Sequence, residues 1–175
     1  MRNLRLRLKG VVASRGEASG HLQSPGDAVV VERGIPRWLV MSCPCGCREQ
    51  IPLNLDSRAG PAWRLYRHPK FGTNLYPSVW RDTGCGSHFI VWRNSILLFG
   101  TSQEEFGSIG RADEIAALSE RVRNSLHANQ FRSCLDIADQ LGEIPWDVLD
   151  ACRYLARRGL AKEGTGLQKG TFRRS

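Results

Sequence analysis

The sequence contains no uninterrupted apolar run near the roughly 20 residues that a membrane span requires. Its first ten residues, "MRNLRLRLKG", interleave arginine with leucine where a secretory leader would be continuously apolar. These absences predict a cytoplasmic chain with no membrane partner, in a compartment where thiols stay reduced. Internal repeats are missing, which excludes a solenoid. The usual C-x-x-C zinc knuckle is missing too, and only 4 histidines are present. Acidic residues are in deficit, 17 against 25 Lys and Arg. With 41% hydrophobic residues in 175, the chain can bury a core as one ordinary domain or two small ones, and global disorder is excluded.

The net charge of +8 is unevenly spread. Residues 1–100 hold 14 basic against 6 acidic side chains, residues 101–150 hold 4 against 10, and residues 151–175 hold 7 against 1. An acidic middle between basic ends suits either nucleic acid or an acidic protein partner.

Hydrophobic patterning also changes along the chain. Up to about residue 100 it repeats every two residues, in short runs such as "LRLRLKG", "AVVVERG", "RWLVMS", "TNLYPSVW", "HFIVW" and "SILLFG". Arg93-Asn94 separates the last two runs and predicts a tight hairpin. Residues 13–27, rich in Gly and Ser, read as a flexible loop. Beyond residue 100 the period becomes helical. Asp113–Ala128 carries Ile115, Leu118, Val122 and Leu126 on one stripe; Ser133 caps a second helix that stops at Gly142; Pro145 opens a third that ends at Gly159. A basic, glycine-rich hairpin follows. The expectation is α+β: a metal-stapled, mostly antiparallel β domain over 1–100, then a small winged-helix-like three-helix domain over 101–175.

The chemistry concentrates in "MSCPCGCREQ" and "DTGCGSHFIV". Cys43, Cys45 and Cys47 alternate along one segment, so an extended backbone sets their thiols on one face. Residues only two apart cannot easily meet disulfide geometry, and packing does not demand the spacing. With Cys85 and His88 they make five soft ligand candidates for a zinc ion that takes four; a fully protein-ligated site would be structural. Spacing alone favours His88 as a ligand, because C-x-x-H is a common metal pairing. If four thiolates suffice, His88 is an imidazole fixed beside a metal knot. Ser78 is then its better serine partner than Ser87, which shares its strand but faces the other way. Cys134 and Cys152 read as buried fillers of helices. His21, His68 and His127 carry no assignment, and the tryptophans read as core or sheet-face residues.

Together "CPCGC", "WRLYRHP", "TNLYPSVW" and "GCGSHFIVW" resemble a small bacterial family, domain of unknown function 6527, from about Trp38 to Phe99. Members of that family occur in operons that encode ubiquitin-like proteins with activating-type and conjugating-type enzymes, often linked to phage defence. The resemblance implies a peptidase that matures or removes a ubiquitin-like modifier, with those pathway enzymes as partners. Ser78 would be its nucleophile, His88 its general base, and Cys43, Cys45, Cys47 and Cys85 the ligands of a structural Zn2+. Asp82 and Asp56 are candidates for a third catalytic member. Two other readings stay open. One is a non-enzymatic zinc adaptor in which His88 completes the metal site. The other is a zinc-containing DNA-binding regulator using the C-terminal domain, which is disfavoured because two acids, Asp147 and Asp150, occupy the part of the third helix that would read bases.

Overall fold

The computed structural model describes residues 4–99 and 112–175. The chain divides into two compact units, Met1–Glu104 and Glu105–Ser175. The boundary expected at residues 100 and 101 lies outside the described residues. The architecture is α+β, with mostly antiparallel sheets and four α-helices among the described residues.

The first unit is built on two sheets. Strands β2 (Arg7–Val12), β3 (Asp27–Arg33), β4 (Ile35–Ser42) and β5 (Gln50–Asn54) form one in sequential order. The other runs β1 (Leu4–Arg5), β9 (Ser95–Phe99), β8 (His88–Trp92), β7 (Gly72–Trp80), β6 (Arg64–His68). "LRLRLKG", which reads as one strand, is thus shared out: Leu4 pairs with Ile96 in the five-stranded sheet, whereas Arg7 pairs with Asp27 in the other. The β2–β3 pairing is parallel; every other pair in this unit is antiparallel. Between the sheets lies a core to which one contributes Ala28, Val30, Leu39, Met41, Ile51 and Leu53, and the other Leu75, Val79, Phe89, Val91 and Ile96. Each of these side chains apart from Ala28, fully buried, contributes roughly 1.5–3 kcal/mol.

Strand β3 reads as a continuous valine run because both its faces are covered. Val30 enters the inter-sheet core, while Val29 and Val31 join Val12 and Val40 in a second cluster on the outer face. Ala18 and Leu22 cover that face. This corrects the loop expected over residues 13–27: Arg15–Ala18 form a helical turn, α1, continued by a 3-10 turn at Ser19–His21. The Glu17 carboxylate ties its start by accepting from the Ser14 hydroxyl (2.6 Å) and the Ala13 N–H (3.2 Å). Two apolar side chains in a polar segment are enough to order it.

The hairpin expected at Arg93-Asn94 is present, both residues having positive φ (49° and 62°) as a primed two-residue turn demands. Gly26, at φ 87°, lies where the two sheets are joined, its carbonyl accepting from Arg7 N–H (2.9 Å). A Cβ there would sit 2.5 Å from the Arg5 carbonyl oxygen. Gly26→Ala should therefore lower stability by about 2 kcal/mol or more. A denaturant titration checks this, and an unchanged midpoint would contradict it.

The second unit orders a helix, a short strand, two helices and a hairpin: α2 (Ala112–Ser125), β10 (Arg132–Ser133), α3 (Cys134–Leu141), α4 (Pro145–Arg157), β11 (Ala161–Glu163) and β12 (Thr171–Arg174). The sheet order is β10-β12-β11, antiparallel throughout. The Ser133 side chain caps α3 by accepting from Asp136 N–H (3.1 Å), Gly142 ends it in the left-handed region, and Pro145 is the first residue of α4. Ile115, Val122, Leu126, Ile137, Val148, Leu155 and Phe172 are buried, as are Cys134 and Cys152. Trp146, Asp147 and Asp150 are buried as well. The start of α4, the part that would read bases, is therefore enclosed. No described helix is long and apolar enough to cross a membrane.

Candidate functional site

Strand β4 ends at Ser42, and the chain then folds back on itself to enter β5. Gly46 donates its N–H to the Cys43 carbonyl (3.2 Å), and Cys43 N–H reaches Glu49 O (2.8 Å). Gly46 (φ 91°) and Arg48 (φ 67°) take left-handed conformations, which make this turn short enough to aim three alternate cysteines at one point. Cys85 approaches the same point from the β7–β8 connection. The four Sγ atoms of Cys43, Cys45, Cys47 and Cys85 all lie within 4.8 Å of one another. The group thus joins a loop of the four-stranded sheet to a loop of the five-stranded one. Cys43 is buried in the inter-sheet core, and Cys85 packs against that core.

The thiols suit a tetrahedral soft ion. Metal–sulfur bonds of about 2.3 Å set the sulfurs roughly 3.8 Å apart in a tetrahedron, and Cys43 Sγ is 3.3 Å from Cys45 Sγ and 3.6 Å from Cys85 Sγ. None of the six cysteines is in a disulfide. Burial raises the Cys85 thiol, but hydrogen bonds from the Ser87 side chain and backbone, and from Cys45 and Cys43, outweigh it and hold the group down to about 6. Desolvation and the contact with Cys43 push Cys45 up to about 12. Without a cation, Cys45 keeps its proton at neutral pH; a dication would draw it off. The four cysteines could therefore hold a metal ion.

Three neighbours of this group carry no obvious sequence signal. The Ser87 hydroxyl is buried 3.2 Å from Cys85 Sγ and 3.4 Å from Cys43 Sγ. Arg81 pairs with Glu49 and lies 3.6 Å from Cys85 Sγ, linking the same two loops by charge. Opposite charges flanking the two halves of the motif were the only available hint.

His88 follows Ser87 and opens β8. The four-thiol group does not include it. Its ring stacks on Trp80 (centroids 5.5 Å, planes 25° apart) and lies 5.2 Å from Phe99. Burial lowers its pKa from the ordinary histidine value, which favours the neutral imidazole. Phe89 enters the inter-sheet core beside the thiols, so its strand neighbour His88 faces the other way, while Ser87, just before the strand, meets the thiols.

Ser78 lies within β7, whose pairing with β8 shifts register between Leu75 and Val79 and then resumes with Val79 opposite Phe89 and Trp80 opposite His88. Val79 is in the core, which sets its neighbours Ser78 and Trp80 on the other face. Ser78 falls in the stretch of β7 where the register shifts, two residues before Trp80, which pairs with His88. The Ser78 carbonyl accepts from Trp63 Nε1 (3.3 Å). Trp80 is 62% exposed, unlike a core residue, and leaves an apolar surface beside His88.

The two aspartates considered as third members differ. Asp56 is buried between Arg37 and Arg58; hydrogen bonds from Arg58 hold its carboxyl down to about 2, and both its oxygens are engaged. It anchors the end of β5. Asp82 is exposed in the loop that leads to Cys85. His68 locks a turn, its Nδ1 accepting from Lys70 N–H (3.2 Å) and Phe71 N–H (3.1 Å).

No curated protein and no solved structure matches the chain. Residues 15–99, which carry all four clustered cysteines, Ser78 and His88, match the family model described as bacterial ubiquitination-like system serine protease (BubE). That description agrees with the activity expected above, a serine-type peptidase acting in a bacterial ubiquitin-like pathway, and it implies partners from that pathway.

Proposed function

We propose that this chain cleaves at the C-terminus of a ubiquitin-like modifier, with Ser78 as nucleophile and His88 as general base. The observation that supports the assignment is the division of labour at the start of β8: Ser87 contacts the thiols, while His88 stacks on Trp80, two residues along β7 from Ser78. His88 takes the proton from Ser78 Oγ as that oxygen attacks the modifier's terminal carbonyl. The tetrahedral intermediate collapses, and the same imidazole gives its proton to the departing amine. Water, deprotonated by His88, then hydrolyses the ester and frees the serine. Backbone N–H groups of the glycine-rich turn over residues 83–87 suit the developing oxyanion. Asp82 is the remaining third-member candidate, and the family of unknown function 6527 and the matched family describe one and the same domain.

Cys43, Cys45, Cys47 and Cys85 hold zinc as a structural ion. Bound there, it supplies a rigid tie between the two sheets and takes no part in bond cleavage. The tie fixes Ser87, hence the first residue of β8, hence His88. The second unit is a winged helix that docks pathway proteins through its basic end. The buried acids at the start of α4 argue against base reading by that helix.

Cleavage of a ubiquitin-like precursor from a bacterial ubiquitin-like system tests the reading, with metal content measured on the same samples. His88→Ala should lose cleavage and keep its metal; loss of the metal would make His88 a ligand and the protein an adaptor. Because burial depresses the His88 pKa, its neutral form persists below the usual histidine range near 6.5. The kcat/KM profile should therefore be flat around neutrality and fall on the acid side with a midpoint below 6.5. A midpoint above that value would contradict the assignment.

A further inference from the structure

The outer face of the four-stranded sheet carries a second feature, which shares no residue with the thiol group, Ser78 or His88. A cavity of about 360 Å³ opens there, lined by Arg15, Val31, Arg33, Arg37 and Trp38. Three guanidinium groups thus surround one indole. Arg15 lies 5.0 Å above the Trp38 ring, and Arg33 is steered by its Nε–H to the Ala13 carbonyl (3.1 Å). Arg37 is already paired with the buried Asp56 carboxylate. Among the described residues neither Arg15 nor Arg33 is in an ion pair, and both are exposed.

We propose that this cavity is a docking site for carboxylate side chains of an acidic protein segment. Guanidinium forks recognise carboxylates in a planar, two-bond geometry. Arg37 already holds one carboxylate, that of Asp56, through a single contact from its Nη1. The indole adds an apolar floor for the methylenes of Glu or Asp. Asp56 offsets Arg37, and Glu17 acts on Arg33 at longer range, but the two exposed guanidiniums of Arg15 and Arg33 still leave the site net positive and complementary to an anionic partner. The exposed Ile35, at the turn that follows Arg33, extends the rim with the apolar contact a protein segment can use and a small anion cannot. The site does not depend on which serine is catalytic.

The test measures binding of a fluorescein-labelled hexaglutamate peptide to the full-length chain by anisotropy at low salt, with competition by inorganic pyrophosphate. The wild type should bind the peptide and release it as salt rises. The Arg15→Gln/Arg33→Gln double variant should bind roughly tenfold more weakly, with unchanged melting temperature and peptidase activity on a short peptide. Arg67→Gln, which removes an exposed charge elsewhere, should bind like the wild type. Failure of the wild type to bind, equal affinity in the double variant, or an equal loss in Arg67→Gln would overturn the proposal. So would pyrophosphate binding more tightly than the peptide at Arg15 and Arg33, which would make this a small-anion site.

Discussion

Ser78→Ala should slow cleavage of a ubiquitin-like precursor by about four orders of magnitude or more, while melting temperature and metal content stay at wild-type values. The size follows from the role. A serine oxygen is a weak nucleophile unless a neighbouring base takes its proton, and alanine removes the attacking atom altogether. Ser78 is only partly buried, and its polar link to the strand pairing is through its backbone carbonyl, so the substitution leaves the Trp63 contact in place. If Ser78 and His88 act as one unit, as proposed, His88→Ala should fall to a similar floor and the double variant hardly further. Single-turnover cleavage assays on the three variants check this. Additive losses would mean that the two residues act separately.

Cys45→Ser should destabilise the first unit by several kcal/mol and release the metal. Cys45 is exposed, and a substitution at an ordinary exposed position stays within about 0.5 kcal/mol. A large loss at such a position therefore reports a bond to an ion and not a packing defect. Cys43→Ser confounds the two effects, since Cys43 is buried in the inter-sheet core. The free energy of binding a structural zinc is also folding free energy, so a strong chelator should reproduce the loss in the wild type and add little in the variant. Urea titrations with and without chelator measure both. A Cys45→Ser chain as stable as the wild type, with metal retained, would remove Cys45 from the site.

Elements governed by nearest neighbours were readable from the chain alone. The Arg93-Asn94 hairpin, the Ser133 cap, the Gly142 stop and the Pro145 start each depend on a few adjacent residues. The convergence of four thiols was also legible, because alternate cysteines on one segment have little other use. What escaped was decided at long range. Nothing local shows that "LRLRLKG" divides between two sheets, or that Ala18 and Leu22 find an apolar face to cover. The burial of Ser87 against two sulfurs and the pairing of Arg81 with Glu49 exist only once both loops meet. The enclosed acids of α4 are likewise invisible to charge counting. The five-for-four surplus of ligands could be stated from the sequence, but separating the thiols from the imidazole required strand faces.

The most direct test of the account is to treat the chain with a serine-directed fluorophosphonate and locate the adduct by peptide mass spectrometry. A single adduct on Ser78, absent from Ser78→Ala and strongly reduced in His88→Ala with the metal still bound, is the predicted result. Labelling of a different serine with cleavage lost in parallel, or full cleavage by a chain labelled at Ser78, would contradict it.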